Sequence, residues 1–203
     1  MQRNFIDTLE KLATTRIDYC SARIGLENAR ILGKEGKHLE AAEIFTTTAS
    51  QFRELCEVYK IEREHREFEG IYHLCKAWEQ MELAEEFSEP DKFAKAAYQF
   101  SKASNFSNEP KNKLLASGNS TYCLALELGC EFDKSYDTEA KAQMYPKIKS
   151  MLRNAASLYE KGSFKGAADW ALATSTYFDA AWHLIKADEE LEISKKKEII
   201  GIA

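Results

Sequence analysis

Apolar residues recur along this chain at three- and four-residue intervals almost without interruption. That spacing lines one face of an α-helix. Clusters of Gly, Pro, Ser, Asn and Asp supply the breaks. The pattern predicts a long first helix from about Asn4 to Leu32, closed by Gly33 and Gly36. A second runs from His38 to about Tyr59, and a third from about Glu62 to Phe87, stopping before Ser88-Glu89-Pro90. A fourth spans Asp91 to Phe106, ahead of Ser107-Asn108-Glu109-Pro110, and a fifth spans Lys111 to about Phe132. After Asp133-Lys134-Ser135-Tyr136-Asp137, a sixth covers Thr138 to Lys161. Pro146 should kink or restart it, because proline lacks a backbone donor and clashes with the preceding turn. Gly162-Ser163 makes a tight turn, a seventh helix follows from Phe164 to about Asp188, and an eighth begins near Ile193.

Two short signatures alternate along these helices. The first is an aromatic or Leu, then Cys or Phe, any residue, then Ala. It occurs at Tyr19-Cys20-Ser21-Ala22, Leu74-Cys75-Lys76-Ala77, Tyr122-Cys123-Leu124-Ala125 and Tyr177-Phe178-Asp179-Ala180. The second, Ala-Ala-x-x-aromatic, occurs at Ala41–Phe45, Ala96–Phe100 and Ala155–Tyr159. Cys20 to Ala41 and Cys75 to Ala96 are both 21 residues, whereas Cys123 to Ala155 is 32, an insertion of 11. Cys20 to Cys75 and Cys123 to Phe178 are both 55, which fits two helices of about 25 residues and two short turns. Five residues before each Cys or Phe stand Thr15, Gly70, Gly118 and Ala173, all small. Glycine inside a helix costs about 1 kcal/mol against alanine, so Gly70 and Gly118 suggest packing that needs the space. The fourth unit's second signature would start at Ile199, close to the last residue, Ala203. The last hairpin therefore reads as cut short, and the chain as a possible fragment of a longer protein. A repeat whose units cannot each bury an apolar face alone predicts one all-α domain over residues 1–203.

The segment Leu83-Ala84-x-x-Phe87, then Ala96-x-x-x-Phe100-x-x-Ala103, resembles the tetratricopeptide repeat. Two other hairpins are similar but less complete, one through Ala29, Gly36, Ala41 and Phe45, the other through Ala155, Gly162, Phe164, Ala167 and Ala171. The usual Trp is missing, with Gln80 and Gly25 at the corresponding positions, and the helices are longer than a 34-residue repeat permits. Long-helix relatives such as the soluble NSF-attachment proteins fit better. Leu74-Cys75-Lys76-Ala77-Trp78-Glu79 and Leu115-Ala116-Ser117-Gly118-Asn119-Ser120 also resemble a group of archaeal tetratricopeptide-like proteins without an assigned activity. The resemblance implies a right-handed α-α superhelix of seven to eight antiparallel helices that binds proteins or peptides. It carries over no catalytic residue. In such proteins the inner helix of each hairpin lines a groove where Asn often holds a peptide backbone, which makes Asn119 the candidate partner-binding residue. A bond from Asn119 to a neighbouring helix is the competing expectation.

Composition narrows the function classes. The chain carries 28 Lys and Arg against 33 Asp and Glu, a net charge of −5, with both signs interleaved along helix faces such as Lys60–Glu67. Nucleic-acid binding needs clustered cations, so it is disfavoured. No run of 18 apolar residues spans a membrane, and the N-terminus, from Met1 to Asp7, has no apolar leader. A cytoplasmic protein is the default expectation. The five cysteines are odd in number and contain no CxxC, so neither a disulfide framework nor a zinc site is suggested.

Catalytic chemistry finds little support. Cys20, Cys75 and Cys123 share a repeat slot with Phe178, and a slot that accepts Phe reads as core. Cys130, near a helix end, is the expected exposed thiol, and Cys56 could be partly exposed. The four histidines, His38, His65, His73 and His183, form no HExxH pattern. Gly162-Ser163-Phe164-Lys165-Gly166 follows no strand and lacks a phosphate-loop pattern. No metal, cofactor or enzymatic activity is expected. The expected function is a non-enzymatic adaptor for a protein or peptide partner. The alternative is a regulatory or sensor domain of a longer signalling protein, self-associating, as a homodimer, through its C-terminal hairpin.

Overall fold

The structure, a computed structural model, describes the backbone of residues 2–58 and 62–200, and the side chains among them apart from residues 2–5, 7, 8, 193, 194 and 196–200. Among the described residues all regular structure is helical. In chain order the elements are α1 (Gln2–Lys34), α2 (His38–Val58), α3 (Glu62–Phe87), α4 (Pro90–Phe106), α5 (Pro110–Lys134), α6 (Thr138–Lys161) and α7 (Lys165–Ile200).

Local chemistry sets the boundaries. Gly36 adopts a left-handed φ of 77° while the Lys37 N–H donates to the Leu32 carbonyl, a C-terminal closure that satisfies an otherwise free helix carbonyl. Prolines open α4 and α5 at their first position, where the missing N–H costs nothing. Asp137 caps α6 by accepting from the Glu139 N–H at 2.9 Å. Pro146 lies inside α6, which does not restart there. The turn before α7 places Ser163, not Gly162, in the left-handed region, at φ 63°. Gly162 is needed for a different reason: a Cβ there would lie 2.7 Å from the Phe164 ring. No separate eighth helix begins near Ile193; α7 continues to Ile200. Between Asp188 and Ile200 no glycine, proline or capping turn interrupts the helical run.

Each helix packs on its neighbour in the chain, and every described pairing is antiparallel. Phe52 meets Phe68 while Phe45 meets Trp78; His73 bonds Gln99 and Ser120 bonds the Ala97 carbonyl. The core divides into three clusters, each built around one even-numbered helix and its Ala-Ala-x-x-aromatic signature. Ala41 and Phe45 of α2 sit between α1 and α3. Ala96, Ala97 and Phe100 of α4 sit between α3 and α5. Ala155, Ala156 and Tyr159 of α6 sit between α5 and α7. Alanine at these ridges lets neighbouring helices approach, and the aromatic fills the space beyond.

The odd helices therefore have two working faces. On α3, Leu74 and Ala77 pack toward α4, while Phe68 and Cys75 pack toward α2. On α1, Tyr19, Ala22 and Leu26 pack toward α2, but the opposite face, with Ile17, Cys20, Ile24 and Ile31, is exposed. Cys20 thus departs from the core position expected of it. Its counterparts Cys75 and Cys123 are fully buried against a preceding even helix, and no described helix precedes α1. On α7 the face that would meet a following even helix is likewise exposed.

The 11-residue insertion lies wholly in α6. That helix begins 17 residues before Ala155, whereas α4 begins 6 before Ala96. The added turns carry Tyr145, which stacks on Trp182 at 5.5 Å, and the next residue after them is Lys149, which pairs with Asp179 at 2.7 Å. They extend support along α7, the longest helix at 36 residues.

Candidate functional site

Asn119 sits in the middle of α5 and is 7 % exposed. Its Oδ1 accepts from the Tyr159 hydroxyl at 2.8 Å, and its Nδ2 has no partner. The neighbouring Gly118 makes this possible, since the Tyr159 ring lies where a side chain at 118 would begin. Asn119 therefore ties α5 to α6 inside the fold and is not presented to a groove. The competing expectation, a bond to a neighbouring helix, describes its placement. Burial pushes the Tyr159 phenol well above its ordinary range.

The described side chains enclose a different recess. A cleft of about 270 Å³ opens where the C-terminal half of α3, the second half of α5 and the middle of α7 converge. Its apolar lining comes from Ala84, Phe93, Leu126 and Phe178, and its polar lining includes Glu85, Asp133, Thr174 and Tyr177. Gly129 lets α7 come close to α5, because a Cβ there would lie 2.5 Å from Phe178 Cζ. Lys134 donates to the Ser88 carbonyl at 2.8 Å and fixes the end of α3 to the end of α5. Beside the cleft, the Tyr122 hydroxyl receives the Trp170 indole N–H at 2.8 Å and lies 3.1 Å from the Thr174 hydroxyl. This short chain of bonds sets the spacing of α5 and α7.

The rim is acidic. Burial, reinforced by Glu82, pushes the Glu85 carboxyl above its usual range. Burial also raises Asp133, against the opposing pull of Lys141. Glu127 is raised by burial and by the nearby Glu131 and Asp91. The Asp133 carboxylate in turn pushes the Tyr177 phenol up. Carboxylates that repel one another and lose solvent hold a field that a cation relieves. Among the described residues, no three His, Cys, Asp or Glu side chains are grouped so as to hold a metal ion.

The remaining candidate groups have structural partners. His38, at the start of α2, lies 2.7 Å from the buried Glu82 carboxylate of α3, and Glu85 is 3.8 Å away. His73 bonds Gln99 at 2.8 Å and stacks on Phe106. Burial pushes the Cys75 thiol up to about 12 and the Cys56 thiol up to about 11, and raises Cys123 further still. Such thiols are protonated and inert near neutral pH. Cys56 is buried, not partly exposed, and Cys130 is half-buried in the cleft wall, which leaves Cys20 as the exposed thiol.

Compared with known proteins, the chain matches no family model, no curated protein and no solved structure. Among the described residues no helix is long and apolar enough to cross a membrane. The cleft residues were not candidates from sequence. Glu85, Asp133 and Tyr177 come from three helices and are brought together only by packing. The one available signal was the slot beside the repeated Cys or Phe, which holds Tyr122 and Tyr177.

Proposed function

We propose that this chain is a non-enzymatic, cytoplasmic interaction scaffold: a right-handed α-solenoid of the tetratricopeptide-like kind that takes a segment of a partner protein on its odd-helix side. The observation that carries the reading is the cleft between α3, α5 and α7, with its apolar floor and its carboxylates at Glu85 and Asp133. A volume of about 270 Å³ takes one or two side chains, not a cofactor-sized molecule. An apolar side chain of the partner would fill the space above Leu126 and Phe178. A lysine or arginine beside it would meet Glu85 and Asp133. Charge complementarity of this kind sets orientation and speeds encounter.

The test is fluorescence anisotropy with a labelled basic amphipathic peptide and a charge-reversed counterpart. The basic peptide should bind, more weakly as salt rises, and the Glu85→Gln/Asp133→Asn variant should bind it about tenfold less well, the loss of roughly one charge-assisted contact. Equal binding of both peptides, or no change in the variant, would refute the reading.

A further inference from the structure

Four large apolar side chains recur on α7 at intervals of seven residues: Trp170, Tyr177, Leu184 and Leu191. They are exposed by 67, 56, 68 and 57 %. Between them, three residues after each of the first three, lie Ala173, Ala180 and Ala187, also exposed. This is an uninterrupted apolar seam about 32 Å long at the helical rise. On the opposite face Trp182 stacks on Tyr145 of α6 and Phe178 packs on Phe132 of α5, while at the start of the seam the Trp170 indole N–H donates to the Tyr122 hydroxyl of α5. In the repeat register the seam is the counterpart of Gly118, Tyr122, Ala125, Gly129 and Phe132 on α5, the face that α6 and α7 cover.

We propose that this seam is covered by the α7 helix of a second copy, running antiparallel, in a twofold-symmetric dimer. Three observations select that occupant. First, the seam alternates large and small at the period of a helix pair. If two copies cross with residue 182 on the axis, Leu184 of one opposes Ala180 of the other, Tyr177 opposes Ala187, and Leu191 opposes Ala173. Large residues then fill the gaps left by alanines in the layers of Tyr177, Leu184 and Leu191, the complementarity that well-packed helix interfaces require. Second, an antiparallel neighbour has the polarity that every described neighbouring helix in this fold has. Third, the exposed area suffices. The four large side chains still present on the order of 500 Å² per copy, so full coverage buries about 1,000 Å² across the pair, the lower bound for a biological interface. The other free face is poorly suited to the same pairing. On α1 the seam of Ile17, Cys20, Ile24 and Ile31 is interrupted by Glu27, which is held by Arg23 and Arg30 on the helix surface. An interface that uses one patch on both copies also closes at two, whereas α7 on α1 would build a larger ring or an open filament.

Because Tyr177 belongs to both the seam and the cleft lining, the pairing is read from molecular mass, independently of peptide binding. Multi-angle light scattering on the full chain tests it directly. The expected mass is twice the 23.1 kDa of one chain. Leu184→Glu should weaken association by at least roughly a hundredfold, since it carries two carboxylates into an apolar seam; its circular dichroism should not change, because Leu184 makes no core contact. Ile24→Glu on α1 should leave the dimer intact. A monomeric wild type, a mass that climbs past two chains with concentration, or an Ile24→Glu variant that dissociates while Leu184→Glu does not would each overturn the proposal. Disulfide trapping fixes the direction. With Cys20→Ser as background, His183→Cys lies beside the twofold axis and should cross-link to its own copy. Asp169→Cys should not, because antiparallel pairing separates the two 169 positions by about 39 Å. Cross-linking at both positions would mean a parallel pair and refute the geometry.

Discussion

Replacing Gly118 by alanine separates two opposing effects that the structure quantifies. A Cβ at this position would lie 2.5 Å from Tyr159 Cε1 and 2.8 Å from Cδ1. Carbon atoms rest about 3.5–4.0 Å apart, so the ring would have to retreat by about 1 Å. It has little room to do so. Tyr159 is 3 % exposed, and its hydroxyl donates to the Asn119 carboxamide, whose Nδ2 is already unpartnered. A retreat lengthens that bond and leaves a buried amide with neither end satisfied. Alanine improves helix propensity by about 1 kcal/mol. Overpacking a tight site costs about 1–3 kcal/mol, and weakening the hydrogen bond costs about 1 more. The net effect should be a loss of about 1–3 kcal/mol. Gly70, which occupies the same repeat position in α3, is the control. There the nearest atom to an added Cβ is Phe106 Cβ at 3.4 Å, an ordinary contact. Gly70→Ala keeps the propensity gain and should stabilise by about 0.5–1 kcal/mol. Urea unfolding followed by circular dichroism reads both. The Gly118→Ala midpoint should fall and the Gly70→Ala midpoint should rise, with unchanged slopes. If the two midpoints move in the same direction, the packing argument fails.

Three further outcomes are expected. Ser163→Gly should raise the urea midpoint by the equivalent of about 0.5–1 kcal/mol, because Ser163 holds a φ of 63° that costs a side-chain-bearing residue; a fall would show that the serine has a role its geometry does not display. The hydrogen bond that His38 donates to the Glu82 carboxylate raises the His38 pKa, so the folded state holds that proton more tightly than the unfolded chain does, and the stability gained is present below about pH 6.5 and lost as pH rises through the higher folded value. Glu82, raised by burial, loses its contribution in the same direction over a more acidic window. The urea midpoint should therefore decline between about pH 6 and 8, and His38→Gln should flatten that decline; an unchanged slope in the variant would assign it to other groups. A thiol reagent at neutral pH should label Cys20 first and Cys130 more slowly, while Cys56, Cys75 and Cys123 wait for unfolding; early labelling of Cys75 would contradict its burial.

The helices and the repeat were legible in the sequence because both depend on local spacing. An apolar period of three to four residues, interrupted by Gly, Pro and Asp clusters, marks helix ends whatever the rest of the chain does. The Ala-Ala-x-x-aromatic signature points to tight helix contacts for the same reason, and Ala41, Ala96 and Ala155 are all fully buried. What local spacing cannot convey is which neighbour a face meets. Cys20 carries the same signature as Cys75 and Cys123, yet its face has no described helix against it. Gly70 and Gly118 hold one repeat position, yet only Gly118 faces a ring. Asn119 stands in an apolar run, which is equally compatible with a groove and with a core hydrogen bond; the partner, Tyr159, is 40 residues away. The α7 seam makes the point most sharply. Trp170, Tyr177, Leu184 and Leu191 show the same periodicity as the buried face of α5. They are exposed, and no described helix covers them. The alternation of large residues and alanines on this face is the local pattern of a helix–helix contact, and the identity of the helix that meets it is what local spacing does not carry.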